Sequence, residues 1–170
     1  MIDISMDMEQ YDCPFIDTTV DHDVAFASVH WEFDRTDRQF ETRMVVEGEN
    51  RDALTNGLSV LRDHGNMADY DLVKRRGDVA QIRTVIEETE AMAAIRSHDG
   101  YVTGPFHIEE GSEVWHVGFD RADDASAALS TLERNNEFDV SKPAVSKNLR
   151  RGQRKMIDRV VDALQDLDEE

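Results

Sequence analysis

The sequence predicts an α+β protein built on an antiparallel β-sheet, with helices on one face and a C-terminal helical segment. Residues 24–33 and 38–48 alternate apolar and polar side chains, as strands with one buried face do. Two Gly-centred dipeptides, Gly-Asp and Gly-Ser, are of the kind that joins strands in a hairpin. Apolar residues recur at helical spacing between these strands. Strands and helices therefore alternate along the chain, which favours this fold class.

The first unit consists of the strands 24–33 and 38–48 followed by a helix. The sequence DRTD between the strands is a plausible turn. Asn50 is a good N-cap for a helix over 51–64, and Gly65 would end that helix in the left-handed conformation. The helix has an apolar face made by Leu54, Leu58 and Leu61.

The second unit begins with two further strands, 67–76 and 79–88, joined by the Gly-Asp turn. Thr89 then begins a short helix that runs to Gly100. The pattern predicts a hairpin followed by a helix, as in the first unit.

The third unit is a hairpin of residues 101–110 and 112–119, joined by the Gly-Ser turn. A helix from about 123 to 135 and a returning strand, EFDV, follow. The order is that of a split βαβ unit used more than once, which predicts a ferredoxin-like sheet over residues 1–140. The large aromatic residues are expected in its core, or around an apolar ligand site; they are Trp31, Phe106, Trp115 and Phe119.

The composition is strongly acidic. The chain has 37 Asp and Glu against 19 Lys and Arg, a net charge of -18 and a pI near 4.6. Such a surface repels nucleic acid, and it is typical of folded proteins in a salt-saturated cytoplasm, where screening acts within about 3 Å. Disorder is the alternative, but 39% hydrophobic residues and regular strand patterns argue against it. We therefore expect a haloarchaeal protein.

The location expected for the protein is the cytoplasm. Cys13 is the single cysteine, so no internal disulfide can form. The sequence has no run of about 20 apolar residues that could span a membrane. Its start, MIDISMDMEQ, lacks the basic and apolar regions of a signal peptide.

Positive charge is concentrated near the C-terminus. Residues 137–161 contain seven Lys and Arg residues, and Ser141 and Pro143 favour a helix that begins there. Lys and Arg neutralise phosphates, while Ser, Asn and Arg can reach base edges. The segment 141–170 is therefore a candidate DNA-binding element, with Lys142, Ser146, Lys147, Asn148, Arg150, Arg151, Arg154 and Lys155 as the contact residues.

The stretch FDVSKPAVSKNLRRGQRKMI resembles the end of the helix-turn-helix of haloarchaeal bacterio-opsin-activator-type transcription regulators. YDCPFID, GYVTGPF and VWHVGFD are similar to the sensor-like region that precedes it in that family. The resemblance implies a DNA-binding regulator with an N-terminal ligand- or redox-sensing domain and a small-molecule effector. The scaffold helices that hold the recognition helix against DNA are missing here, so we expect weak DNA binding.

The C-terminal segment has a second interpretation. An apolar stripe that includes Met156, Val160, Leu164 and Leu167 is typical of a helix that packs on its own domain or on a second copy. A homodimer is therefore expected. The alternative function is a small-ligand-binding or dimerisation domain that does not bind DNA.

Three residues of the sensor-like region are candidates for ligand or redox chemistry: Cys13, His107 and His116. A thiolate before proline can bind metal or react with oxidants, although a buried hydrophobic role is the more common one. The His residues lack the spacing of a metal site, and the chain has no nucleophile elbow or phosphate-binding loop. We expect no metal, no cofactor and no enzymatic activity.

Overall fold

The structure is a computed structural model that describes residues 1–10 and 12–134, and the backbone of residues 138–145. Within these residues the elements follow in the order β1 (Ile2–Gln10), α1 (Pro14–Asp21), β2 (Val24–Asp34), β3 (Gln39–Gly48), α2 (Arg51–Asp63), β4 (Met67–Arg76), β5 (Val79–Glu87), α3 (Glu90–Ser97), β6 (Tyr101–Val102), β7 (His107–Glu109), β8 (Ser112–Phe119), α4 (Ala122–Arg134) and β9 (Phe138–Val145).

The strands form one antiparallel sheet in the order β4-β5-β3-β2-β7-β8-β1-β9, with β6 paired to β8 beside this path. The predicted α+β class and the antiparallel sheet are confirmed. The sheet is far wider than a four-stranded ferredoxin-like sheet, because β2 pairs with β7 through Phe26 and Ile108 and so joins two smaller sheets. Such pairing covers edges that would otherwise expose unpaired backbone groups.

The strand order is symmetric about the β2–β7 pair. On one side lies β2-β3-β5-β4, and on the other lies β7-β8-β1-β9. Helix α2 leads from β3 to β4, as α4 leads from β8 to β9. Strand β1 therefore takes, in the second half, the place that β5 takes in the first. The repeated unit expected from the sequence is present, but the ferredoxin-like arrangement is not confirmed, because β1 lies in the other half of the sheet.

Local signals account for the starts of α2 and α3 and for two hairpin turns. The side chain of Asn50 accepts a 2.8 Å hydrogen bond from the backbone N–H of Ala53, and Thr89 caps α3 in the same way. Gly77 and Gly111 have the left-handed φ angles of 59° and 75° that their hairpin turns require. The predicted left-handed end of α2 at Gly65 is wrong. The chain leaves α2 through an extended His64, whose ring is held by two hydrogen bonds.

Two parts of the fold differ from the sequence prediction. No element was predicted for residues 1–23, which form β1 and α1. The strand predicted over 101–110 is divided into β6 and β7, since Pro105 lacks the N–H that a continuous ladder needs. Phe106 instead donates its backbone N–H to the hydroxyl of Ser28, at 2.7 Å.

One hydrophobic cluster contains the buried residues of α1, α2, α3 and α4 together with the inward-facing residues of the sheet. Phe106 lies at its centre, in edge-to-face contact with Trp31, Phe40 and Trp115. The core positions predicted for Phe106, Trp115 and Phe119 are confirmed, and Trp31 is partly buried against the same cluster.

The helix predicted from Ser141 is wrong for its first residues, because Ser141–Val145 belong to strand β9. β9 pairs with β1 at the edge of the sheet, where Ser5 faces Ala144 and Asp7 faces Ser141. Lys142 and Pro143 therefore lie opposite one residue of β1, as in a β-bulge. A proline is tolerated at an edge-strand bulge, so Pro143, which suggested a helix start, also fits this strand.

Candidate functional site

Strands β1 and β8 carry polar side chains on both faces of the sheet. Gln10 and Glu113 lie on the helix-covered face, and Ser5 and His116 lie on the other. Three of these four side chains are buried, and Ser5 is partly buried. Buried polar groups cost free energy unless they are hydrogen-bonded, so their retention here points to a role other than packing.

The most unusual group is the carboxyl of Glu113, which is 5% exposed. It accepts a 3.1 Å hydrogen bond from the side-chain amide of Gln10. Burial disfavours the charged form and raises the pKa of Glu113 to about 7, although neighbouring hydrogen-bond donors lower it in part. Glu113 therefore changes its charge near neutral pH.

The indole of Trp115 lies beside this carboxyl. Its Nε1 is close enough to lower the pKa of Glu113, but its geometry falls outside that of a hydrogen bond. Among the described residues, Nε1 has no hydrogen-bond partner although Trp115 is buried. An unpaired donor next to a buried acid is a group that can respond when the acid ionises.

Cys13 lies at the N-cap of α1, on the same side of the sheet as Glu113. Its thiol is 2% exposed, and burial, together with the charge of Glu113, raises its pKa far above the ordinary value. Asp12, before it, has a left-handed φ of 59°, and Asn66 donates a 2.7 Å hydrogen bond to the Asp12 carbonyl. The thiol is therefore held in place and protonated, which weighs against oxidation or metal binding.

The internal symmetry of the sheet places a different kind of residue at the equivalent position of the other half. Glu113 is the second residue of β8, and Phe40 is the second residue of β3, the equivalent strand. Glu113 faces Met8 of β1, as Phe40 faces Ile86 of β5. Phe40 is a buried core residue in contact with Phe106. An aromatic residue thus fills in one half the place that a carboxyl occupies in the other.

On the opposite face, the hydroxyl of Ser5 and Nδ1 of His116 are 2.9 Å apart. Burial lowers the pKa of His116, so its ring is neutral near neutral pH. Nε2 of His116 and Oδ1 of Asp3 are both buried and without hydrogen-bond partners among the described residues. The β1–β8 pair therefore contains unpaired polar atoms on both faces.

The comparisons with known proteins can be set beside this geometry. The family model HVO_2525_N, described as N-terminal, matches residues 3–138. The chain belongs to the HVO_2525_N family. That name is haloarchaeal, which supports the haloarchaeal origin expected from the composition. No curated protein matches the chain.

The match to HVO_2525_N includes the whole of the β1–β8 site and ends at Phe138, the first residue of β9. None of the helices formed by residues 1–134 has the length and the apolar character that crossing a membrane requires. Within the part of this HVO_2525_N chain that the structure describes, no group of three or more His, Cys, Asp and Glu side chains could hold a metal ion.

The structure brings together some of the residues predicted from the sequence and separates others. Cys13 lies beside Glu113, a residue that the sequence analysis did not single out. His116 lies on β8, as Glu113 does. His107 is apart from them: its Nε2 is 3.2 Å from the carboxylate of Glu109, at the surface. Glu113 could have been singled out in the sequence, because it is an acidic residue at a position of an alternating strand where the side chains face the core.

The predicted DNA-binding residues fall at or beyond the end of the described chain. Lys142 lies in β9, and not in a helix. The others lie outside the described residues; they are Ser146, Lys147, Asn148, Arg150, Arg151, Arg154 and Lys155.

Proposed function

We propose that the chain is a haloarchaeal DNA-binding transcription regulator, or a shortened relative of one, that works in the cytoplasm. Residues 1–140 form its sensing domain, and the basic segment after β9 provides the DNA contact. The observation that carries this proposal is the concentration of seven Lys and Arg residues within 137–161 of a chain with a net charge of -18. Clustered cations are the minimum that phosphate attraction needs.

The sensing site is linked to the start of the basic segment through β1 and β9. β9 pairs with β1 from Gln10, opposite Phe138, to Ile4, opposite Val145. β1 also carries the donor to Glu113; of the seven basic residues, Lys142 lies in β9 and the other six follow β9 in the sequence. A change in the hydrogen bonding of Gln10 would therefore act first on the start of β9 and reach the C-terminal segment along the length of that strand. Of the two stimuli expected, a ligand is favoured over an oxidant, because the Cys13 thiol is buried and protonated.

The test is a binding titration of the full chain against its own upstream promoter and a scrambled duplex, at several salt concentrations. We expect weak binding with little sequence preference, because no scaffold helices support the recognition-like segment and molar salt removes the counterion drive. Lys147→Ala with Arg150→Ala should abolish it.

The matched control for this titration is Arg35→Ala with Arg121→Ala, which removes two exposed cations outside the basic segment. Equal losses of DNA affinity in the two double variants would mean that binding depends on net charge alone. That result would contradict a dedicated DNA contact. If neither the wild type nor the control binds DNA at any salt concentration, the proposed DNA contact is contradicted. The second candidate function, described below, then remains.

The second candidate is a small-ligand-binding or dimerisation domain that does not bind DNA. The observation that favours it is the pairing of Ser141–Val145 with β1, which removes the first turn of the predicted recognition helix. Light scattering at high salt then decides whether the chain is a homodimer. We expect Val160→Asp to shift a dimer toward monomer, because it places a charge in the apolar stripe.

A further inference from the structure

We propose that the carboxyl of Glu113 is a proton-operated switch, whose ionisation inside the core changes the hydrogen bonding of β1 and thereby its pairing with β9. This deepens the sensor function proposed above, and rests on it, by naming the proton as a stimulus. When the switch operates, the Glu113 carboxyl releases a proton to bulk water or takes one up from it. Release leaves one negative charge on the carboxylate, and uptake removes that charge.

An acid is not a general feature of this position in the sheet. The equivalent strand position in the other half of the sheet is filled by Phe40, which packs in the core. A carboxyl at such a site costs free energy of desolvation whenever it is charged. A group that is costly to ionise, at a position where the other half of the sheet has an aromatic ring, is suited to a responsive role.

The groups that face Glu113 come from β1, β7, β8 and the start of α1. Gln10 comes from β1, Trp115 from β8 and Cys13 from α1, while Ile108 faces it across the β7–β8 hairpin. The only other titratable group among them is the Cys13 thiol, which stays protonated. No Lys, Arg or His of the described residues is among the groups that act on the carboxyl. Ionisation would thus leave a buried charge without a counter-charge, stabilised only by neutral donors.

The neighbouring donors can move toward the new charge. Trp115 Nε1 is buried and has no hydrogen-bond partner among the described residues, and it lies close enough to the carboxyl to lower its pKa. The amide of Gln10 already donates to it. A hydrogen bond to an ionised acceptor is about twice as strong as one to a neutral acceptor, so ionisation draws both donors closer.

The change at Gln10 reaches the edge of the sheet directly. Gln10 is the last residue of β1, and its backbone lies opposite Phe138, where β9 begins. β9 is an edge strand with a bulge, so it has a ladder on one side only. Strands of this kind are the part of a sheet that opens at the lowest free energy. β9 is therefore where a movement of β1 would be seen.

The first experiment follows the indole N–H of Trp115 by NMR from pH 5 to pH 9 in molar KCl, with Trp31→Phe to assign the signal. We expect a titration with a midpoint near 7 that disappears in Glu113→Gln and persists in Glu109→Gln, a matched exposed acid on β7. A Trp115 signal that does not titrate, or that titrates unchanged in Glu113→Gln, would overturn the proposal.

The second experiment measures hydrogen exchange of the β9 amides at pH 6 and pH 8, corrected for the intrinsic pH dependence. We expect the protection of the wild-type β9 amides against exchange to change by about tenfold. This is the effect of a free energy of one pKa unit that couples the ionisation of Glu113 to the opening of β9. Glu113→Gln should show the same protection at both pH values. If Trp115 titrates but β9 protection is constant in the wild type, the coupling to β9 is refuted.

DNA titrations of the wild type at the same two pH values separate the two proposals. Absence of DNA binding at both values counts against the proposed function. The switch itself is decided by the Trp115 titration and the β9 exchange, which need no DNA.

Discussion

The side-chain amide of Gln10 donates a hydrogen bond of 3.1 Å to the carboxylate of Glu113, a residue 103 positions later in the chain. Both side chains are buried beneath α1, in the second half of a symmetric sheet. The bond ties the end of β1 to the start of β8. Burial is the reason why the acid retains its proton to an unusually high pH, and the hydrogen bond from Gln10 offsets this effect only in part.

Replacement of Glu113 by Gln should make the protein less sensitive to pH. The folded-state pKa of Glu113, about 7, lies above its ordinary value of 4.5. The folded state therefore binds the proton more tightly, so this contribution to stability is fully present below about 4.5 and is lost as the pH rises through 7. The loss is roughly 3 kcal/mol at most.

The measurement is denaturant unfolding of the wild type and Glu113→Gln at pH 5, 6, 7 and 8 in molar KCl. Near pH 8 the variant should be the more stable, and the difference should shrink toward pH 5. Glu109→Gln, at the surface, should follow the wild type. Wild-type and Glu113→Gln stabilities that run parallel over this range would contradict the assigned ionisation.

Cys13 should be unreactive in the folded protein. Its thiol is buried and its pKa is raised, so the reactive thiolate is scarce. Alkylation by iodoacetamide at pH 8 should proceed only after unfolding. Cys13→Ser with Val20→Cys provides the control, because Val20 is 64% exposed on the same helix and a thiol there should react quickly. Near-stoichiometric zinc or iron that is lost in Cys13→Ser would instead assign Cys13 a ligand role.

Phe106→Ala should destabilise the protein by about 3–5 kcal/mol, the usual cost of removing a buried aromatic ring. Phe106 contacts Trp31, Phe40 and Trp115, so the variant leaves a cavity where the two halves of the sheet meet. Val20→Ala, at the surface, should change stability by less than about 0.5 kcal/mol. Thermal unfolding in high salt gives both values, and a small effect of Phe106→Ala would show that this cluster collapses without cost.

Gly57→Ala should destabilise the protein although alanine is the better helix former by about 1 kcal/mol. A Cβ at Gly57 of α2 would lie 2.8 Å from Cγ1 of Val24 in β2, so the helix and the sheet would have to separate. Asn56→Ala, on the exposed side of the same helix, should be neutral or stabilising.

The double variant Gly57→Ala with Val24→Ala tests the physical cause. Because the smaller side chain at Val24 makes room for the new methyl group, the double variant should be more stable than the sum of the single changes predicts. Additive unfolding free energies would mean that the clash at Val24 is not what makes glycine necessary.

Short-range chemistry in the sequence determined where two helices begin and where two hairpins turn. Asn50 and Thr89 accept hydrogen bonds from backbone N–H groups three residues later, and Gly77 and Gly111 adopt the left-handed turns. These effects involve only near neighbours, so they can be predicted without knowledge of the fold. The strand β1 was also readable, from the apolar residues Ile2, Ile4, Met6 and Met8 in alternation, although it was not predicted.

Only the tertiary structure decided which strands pair and which side chains are buried. Ser141 and Pro143 have the local signals of a helix start. They nevertheless belong to β9, which pairs with the open edge of β1, because a ladder of hydrogen bonds along a sheet edge outweighs a weak local preference. Glu113 is one of 37 acidic residues, and its place in the inward register of an alternating strand is the one local sign of its burial. It became a buried acid because β1, more than 100 residues earlier in the chain, pairs with β8 and brings Gln10 and Cys13 over it. Such long-range pairing depends on the whole chain packing at once, so no local pattern could record it.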